Sequence, residues 1–95
     1  AYMTILLDYP KDGVKSLGFV TASYEDDQGV SMVAVYIPTT PIPTSGFLAL
    51  IPEDTVINTT LSVDDAMRMV ISGGVLTPLD IGKISENSSM VGSSG

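Results

Sequence analysis

The apolar residues of this 95-residue chain arrive in short runs, each stopped by a cluster of Pro, Gly, Asp or Glu. Up to residue 60 that punctuation favours strands, which occupy about 4–8 residues where helices need about 10 or more. The run at 2–8 ends in Tyr9-Pro10-Lys11-Asp12-Gly13, where proline pre-sets a turn and glycine supplies a positive φ. A second run over 14–22 turns Leu17, Phe19 and Val20 toward a core, so the two read as an antiparallel hairpin. The polar turn Glu25-Asp26-Asp27-Gln28-Gly29 then precedes 30–37, where Val30, Met32, Val33, Val35, Tyr36 and Ile37 suit a central strand. Pro38 brings no amide hydrogen to a ladder and closes that strand. Residues 47–51 resume as a strand, Pro52-Glu53-Asp54 turns the chain, and 55–60 adds a short fifth.

After residue 60 the period changes. Val63, Ala66, Met67, Val70 and Ile71 fall at i, i+3, i+4, i+7 and i+8, one face of an α-helix over 63–72. Ser62 is placed to cap it, with Asp65 three residues on as the capping-box acid, and Asp64 and Asp65 complement the helix dipole. Asp64 and Arg68 form an i, i+4 pair, and Gly73-Gly74 supplies a positive-φ stop. Beyond Leu76 the periodicity fades. Residues 79–95 are expected to form a disordered polar C-terminal tail, its last residues Gly92-Ser93-Ser94-Gly95 reading as a linker. The expected organisation is one β-rich domain over 1–78 followed by that tail.

Composition narrows the chemistry. Four basic against eleven acidic residues leave a net charge of −7, which opposes nucleic acid and anionic lipid as partners. With no Cys and no His, the chain can build neither a thiolate metal site nor a Ser-His-Asp or Cys-His catalytic group. Lys11 and Lys15 leave a hydroxyl–lysine dyad as the nucleophilic option. Carboxylates cluster at Glu25-Asp26-Asp27, Glu53-Asp54 and Asp64-Asp65, but each has a structural use as a hairpin loop, a solvated turn or a helix start. No metal, cofactor or catalytic residue is expected. The runs at 31–38 and 47–52 fall far short of the ~18–20 apolar residues a membrane-spanning helix requires. A start at Ala1, with no signal peptide, reads as a segment excised from a longer protein.

The segment Pro38-Thr39-Thr40-Pro41-Ile42-Pro43-Thr44-Ser45-Gly46 is the most unusual, because three prolines stiffen a loop that carries four hydroxyls. One reading makes Thr39, Thr40, Pro41, Pro43, Thr44, Ser45 and Gly46 a binding surface, with Gly46 allowing close backbone approach. The other makes it a strand connection whose hydroxyls satisfy its own backbone. A phosphate-cradling loop does not fit, since proline removes amides such a nest would use and no Lys follows Gly46.

This loop, in order with Tyr9-Pro10-Lys11-Asp12-Gly13, Leu17-Gly18-Phe19-Val20-Thr21, Val35-Tyr36-Ile37 and Ile71-Ser72-Gly73-Gly74-Val75, resembles Domain of Unknown Function family 502, the LIKE-COV (continuous vascular ring-like) membrane protein family. The resemblance covers about residues 2–78, and Ile42 stands where the family pattern usually has Asn. It implies a parent protein anchored by a pair of N-terminal transmembrane helices absent from this chain, with this domain on the cytoplasmic side. It brings no activity and no catalytic residue.

The expected fold is α+β, mainly an antiparallel β-sheet or partial barrel of about five strands with one amphipathic helix. The expected function is a noncatalytic interaction or assembly domain of an integral membrane protein, whose partner is a second copy or another membrane-associated protein. The alternative is a small-ligand or ion-responsive regulatory domain built on loop 38–46. Geometry separates the two: a binding site needs a concavity where Thr39, Thr44 or Ser45 converges with a charged group.

Overall fold

The computed structural model describes residues 2–84. Ala1 and residues 85–95, the greater part of the expected disordered tail, lie outside the described residues. Five strands, β1 (Met3–Asp8), β2 (Lys15–Glu25), β3 (Ser31–Pro38), β4 (Gly46–Pro52) and β5 (Ile57–Asn58), form one sheet in the order β4-β3-β2-β1-β5. Every neighbouring pair is antiparallel, and β4 and β5 are the edges, so the sheet is open. One helix, α1 (Val63–Ile71), follows, and residues 78–84 form a second. The α+β class and the five strands match the sequence reading.

The sheet is curled as well as open. A flat five-stranded sheet separates its edges by about 19 Å, at roughly 4.8 Å per gap. Only residues 53–56 join the β4 edge to the β5 edge, and that link spans about 17 Å even fully extended. The 3₁₀ turn Glu53–Thr55 shortens it further. The edges must therefore approach one another. Tyr9, at the end of β1, meets Phe47 of β4 with ring centroids 5.9 Å apart, although two strands lie between them in the sheet.

The concave face holds the core. Ile5, Leu7, Val33, Val35 and Ile37 are buried there, joined by Tyr9, Val20, Ala49, Ile51 and Val56. Strand alternation puts these residues on one side, since Ile5 faces Gly18 and Val33 and Val35 face Ile51 and Ala49. Gly18 permits the curl: a Cβ there would lie 2.4 Å from Val35 Cγ1, so the space above the β2 backbone belongs to Val35. A break in the β2–β3 register between Val20 and Ala22 adds local bend.

The convex face is only half covered. Over β1 and β2 it carries Thr4 and Phe19, both buried, and α1 lies against β1 with Ala66, Met69 and Val70 turned inward. The helix starts as read from sequence: the Ser62 hydroxyl accepts from the Asp65 amide at 3.0 Å and the Asp65 carboxylate accepts from the Ser62 amide at 3.3 Å. Its end at Gly73 and Gly74, both at positive φ, was legible too. The buried stripe differs by one position, because Met69 is buried while Ile71 is 58% exposed.

Arg68 also pairs differently from the expected Asp64. Its guanidinium bonds to Asp80 at 2.5 Å and lies 3.8 Å from Asp65. Asp80 belongs to residues 78–84, six of which the sequence reading placed in the tail. The Asp80 amide donates to the Thr77 hydroxyl and the Thr77 amide to the Asp80 carboxylate, a second capping box with Pro78 in the first helical position. Lys83 pairs with Asp65 at 2.9 Å, and its carbonyl accepts from the Thr60 amide.

Candidate functional site

Loop 38–46 is the connection between β3 and β4, and its geometry follows from what it must satisfy. With prolines at 38, 41 and 43 the loop has few amides, so side chains and a few backbone donors close it. The Thr39 amide donates to the Ser45 carbonyl at 2.9 Å, and the Thr39 hydroxyl donates to the same oxygen at 2.9 Å and to the Ile42 carbonyl at 3.3 Å. The Ser45 amide donates to the Ile42 carbonyl at 3.1 Å. From outside the loop, the Tyr36 hydroxyl donates to the Pro43 carbonyl at 2.6 Å. The Thr40-Pro41 peptide is cis.

Gly46 serves the loop's own closure. A Cβ at this position would sit 2.3 Å from the Ile37 carbonyl oxygen and 2.9 Å from the Tyr36 ring. The close approach expected for a ligand is made by the protein itself. Tyr36 is the residue outside the loop that holds it, through the hydroxyl on the Pro43 carbonyl, and composition alone did not single it out. The signal was its place near the end of a strand leading into a proline-rich loop, where a phenol has carbonyls to reach.

Of the sequence-predicted site residues, Thr40 alone lines one of the surface clefts, a concavity of about 280 Å³ between Lys15, Ser16, Leu17, Pro38, Met69 and Gly74. It opens where the β2–β3 ladder stops at Phe19 and Tyr36. Lys15, the charged group there, is held by the Asp8 carboxylate, and the Ser16 hydroxyl donates to the Tyr9 carbonyl at 2.8 Å. Thr39, Thr44 and Ser45 do not line this cleft, nor one of about 600 Å³ beside residues 52–54, nor one of about 420 Å³ beside the start of α1. The structure thus gathers Thr39, Pro43, Ser45 and Gly46 into one tied loop, leaves Thr44 at its surface and turns Thr40 toward the cleft. Lys15 and the Thr40 hydroxyl line the same cleft, and the hydrogen bond that Lys15 makes there goes to Asp8.

The loop leads directly into an apolar edge. Ile42 at its tip is 58% exposed, and on β4 Phe47, Leu48 and Leu50 are 51%, 69% and 55% exposed. Edge strands commonly carry charges that prevent further pairing. Residues 38–52, the loop and all of β4, carry none, in a chain of net charge −7.

Among the described residues no group of three or more acidic, Cys or His side chains could hold a metal, and no helix is long and apolar enough to cross a membrane. No curated protein and no solved structure matches the chain. Residues 2–45, from β1 to the last loop residue before β4, match the model of the family described as protein of unknown function (DUF502). The match takes in β1, β2, β3 and the loop up to Ser45, and over those residues the chain is similar to that family.

Proposed function

We propose that this domain is a noncatalytic assembly module of a membrane protein, working through loop 38–46 and the β4 edge that continues from it. One observation carries the reading: a rigid loop opens into an uncharged edge strand with Leu48 and Leu50 turned outward. An edge of this kind offers unpaired backbone groups beside apolar side chains, the combination used in strand addition. The Thr39 hydroxyl is spent on the loop's own carbonyls and Lys15 on Asp8, which supports a presented surface over a ligand pocket. The membrane context and the cytoplasmic side rest on the family resemblance and are part of the proposal.

The test separates surface from scaffold. Thr44 and Ser45 are exposed, so replacing both by Ala leaves the melting temperature unchanged and weakens association by roughly tenfold, equivalent to about 1.4 kcal/mol. Association is read by light scattering and stability by thermal denaturation. A large drop in stability with association intact would contradict the proposal.

A further inference from the structure

We infer that two copies of this chain join edge to edge through β4, antiparallel about a two-fold axis at Ala49, giving one continuous ten-stranded sheet. The inference rests on the assembly reading above and specifies its partner and register.

The direction of each backbone group on β4 follows from the hairpin. Thr39 and Ser45 are joined by an amide-to-carbonyl bond, and the register continues through Ile37–Phe47, Val35–Ala49 and Val33–Ile51. In an antiparallel ladder, alternate residues send both backbone groups to the same neighbour. Phe47, Ala49 and Ile51 therefore bond into β3, while Gly46, Leu48 and Leu50 present theirs to the open side. Pro38 obeys the same parity: it faces β2, at the point where the β2–β3 ladder has already ended. The open groups belong to the residues whose side chains are most exposed on the strand, Leu48 and Leu50.

Charge selects the occupant and the orientation. Each chain carries −7, and the stretch 38–52 is an uncharged one that includes an edge of the sheet, so two copies can meet there without like charges opposing each other. Glu53 and Asp54 follow immediately. A parallel arrangement would stack these acids on their own copies. An antiparallel one centred on Ala49 sets Leu48 opposite Leu50 and Gly46 opposite Pro52 of the second copy, which brings the end of the loop at Thr44 and Ser45 beside the acidic turn that begins at Glu53 of the second copy. Exposed hydroxyl donors then meet exposed carboxylate acceptors at both ends of the seam. The uncharged loop and the acidic turn are complementary halves of one self-complementary surface.

The chain has no Cys, so single cysteines report register without background. At the axis, Ala49 and its copy form a non-hydrogen-bonded pair with Cα atoms about 4.5 Å apart, within disulfide reach. Mild oxidation of Ala49→Cys is expected to give a covalent dimer about tenfold faster than oxidation of Leu48→Cys or Leu50→Cys alone. Ala49 is half-buried, so a second design uses the exposed positions: a mixture of Leu48→Cys and Leu50→Cys proteins is expected to cross-link to each other in preference to themselves. Preferential self-linking of Leu48→Cys would overturn the register. Failure of every variant to cross-link, with a dimer mass still present, would overturn the β4 interface and leave the assembly reading standing. A monomer that neither cross-links nor associates would overturn both.

Discussion

At the residue scale, the chain's chemistry resides in contacts that shape backbone. Gly46 exists where it does because Ile37 O and the Tyr36 ring occupy the volume of a side chain, and Tyr36 is there to hold Pro43 O. Gly46→Ala is expected to destabilise the domain by about 2–3 kcal/mol, since the nearest obstacle is backbone and cannot rotate away. Tyr36→Phe removes one hydrogen bond and is expected to cost about 1 kcal/mol, read as a lower denaturant midpoint at unchanged slope. The sequence made the loop conspicuous through its prolines and hydroxyls, and it correctly raised the possibility that the hydroxyls serve the loop's own backbone. It did not reveal which hydroxyls, because Thr39, Thr40 and Thr44 have the same composition and differ only in where the closed hairpin points them. Arg68 shows the same limit: Asp64 lies nearby in sequence, while Asp80 reaches it only through the second helix.

At the element scale, the strands were legible because each is bounded by a turn with its own mechanism. Gly13 and Gly29 take positive φ, and the Asp26 carboxylate accepts from the Gln28 and Val30 amides, each at 2.9 Å. The second helix was hidden by Gly82 within it and by the polar, Ser-rich sequence that follows, yet Thr77-Pro78-Leu79-Asp80 repeats the capping logic of Ser62-Val63-Asp64-Asp65 and was the signal available. Asp80 ties this helix to the domain. The Arg68 guanidinium and the Thr77 amide together hold its carboxyl at about 2, below the ordinary 3.8. A depressed acid stabilises the fold at pH above its unfolded value, and that contribution is lost as pH falls through the folded one. Melting temperature is therefore expected to decline as pH drops from about 4 toward about 2, partly also through Asp65, whose carboxyl is lowered by Lys83 and Ser62. Asp80→Asn is expected to flatten that decline and to speed hydrogen exchange across residues 78–84. An unchanged acid profile would mean the pair does not anchor the helix.

At the scale of the whole molecule, a small chain solves its burial problem by curling a sheet around its own side chains and using one helix to cover part of the outside. The curl was expressible from sequence only as a partial barrel. What fixes it is the short connection between the two sheet edges and the Tyr9–Phe47 contact, neither of which a linear pattern reveals. The same arrangement leaves β4 uncovered, and from that uncovered, uncharged edge follows the claim that the domain assembles. The decisive measurement is the solution mass of the domain by light scattering over a wide concentration range, at low and high salt. The domain is expected to show a monomer–dimer equilibrium that tightens as salt screens the −7 charge on each copy, and a Leu50→Lys variant to stay monomeric. A strict monomer under all conditions, or a dimer that Leu50→Lys leaves intact, would contradict it.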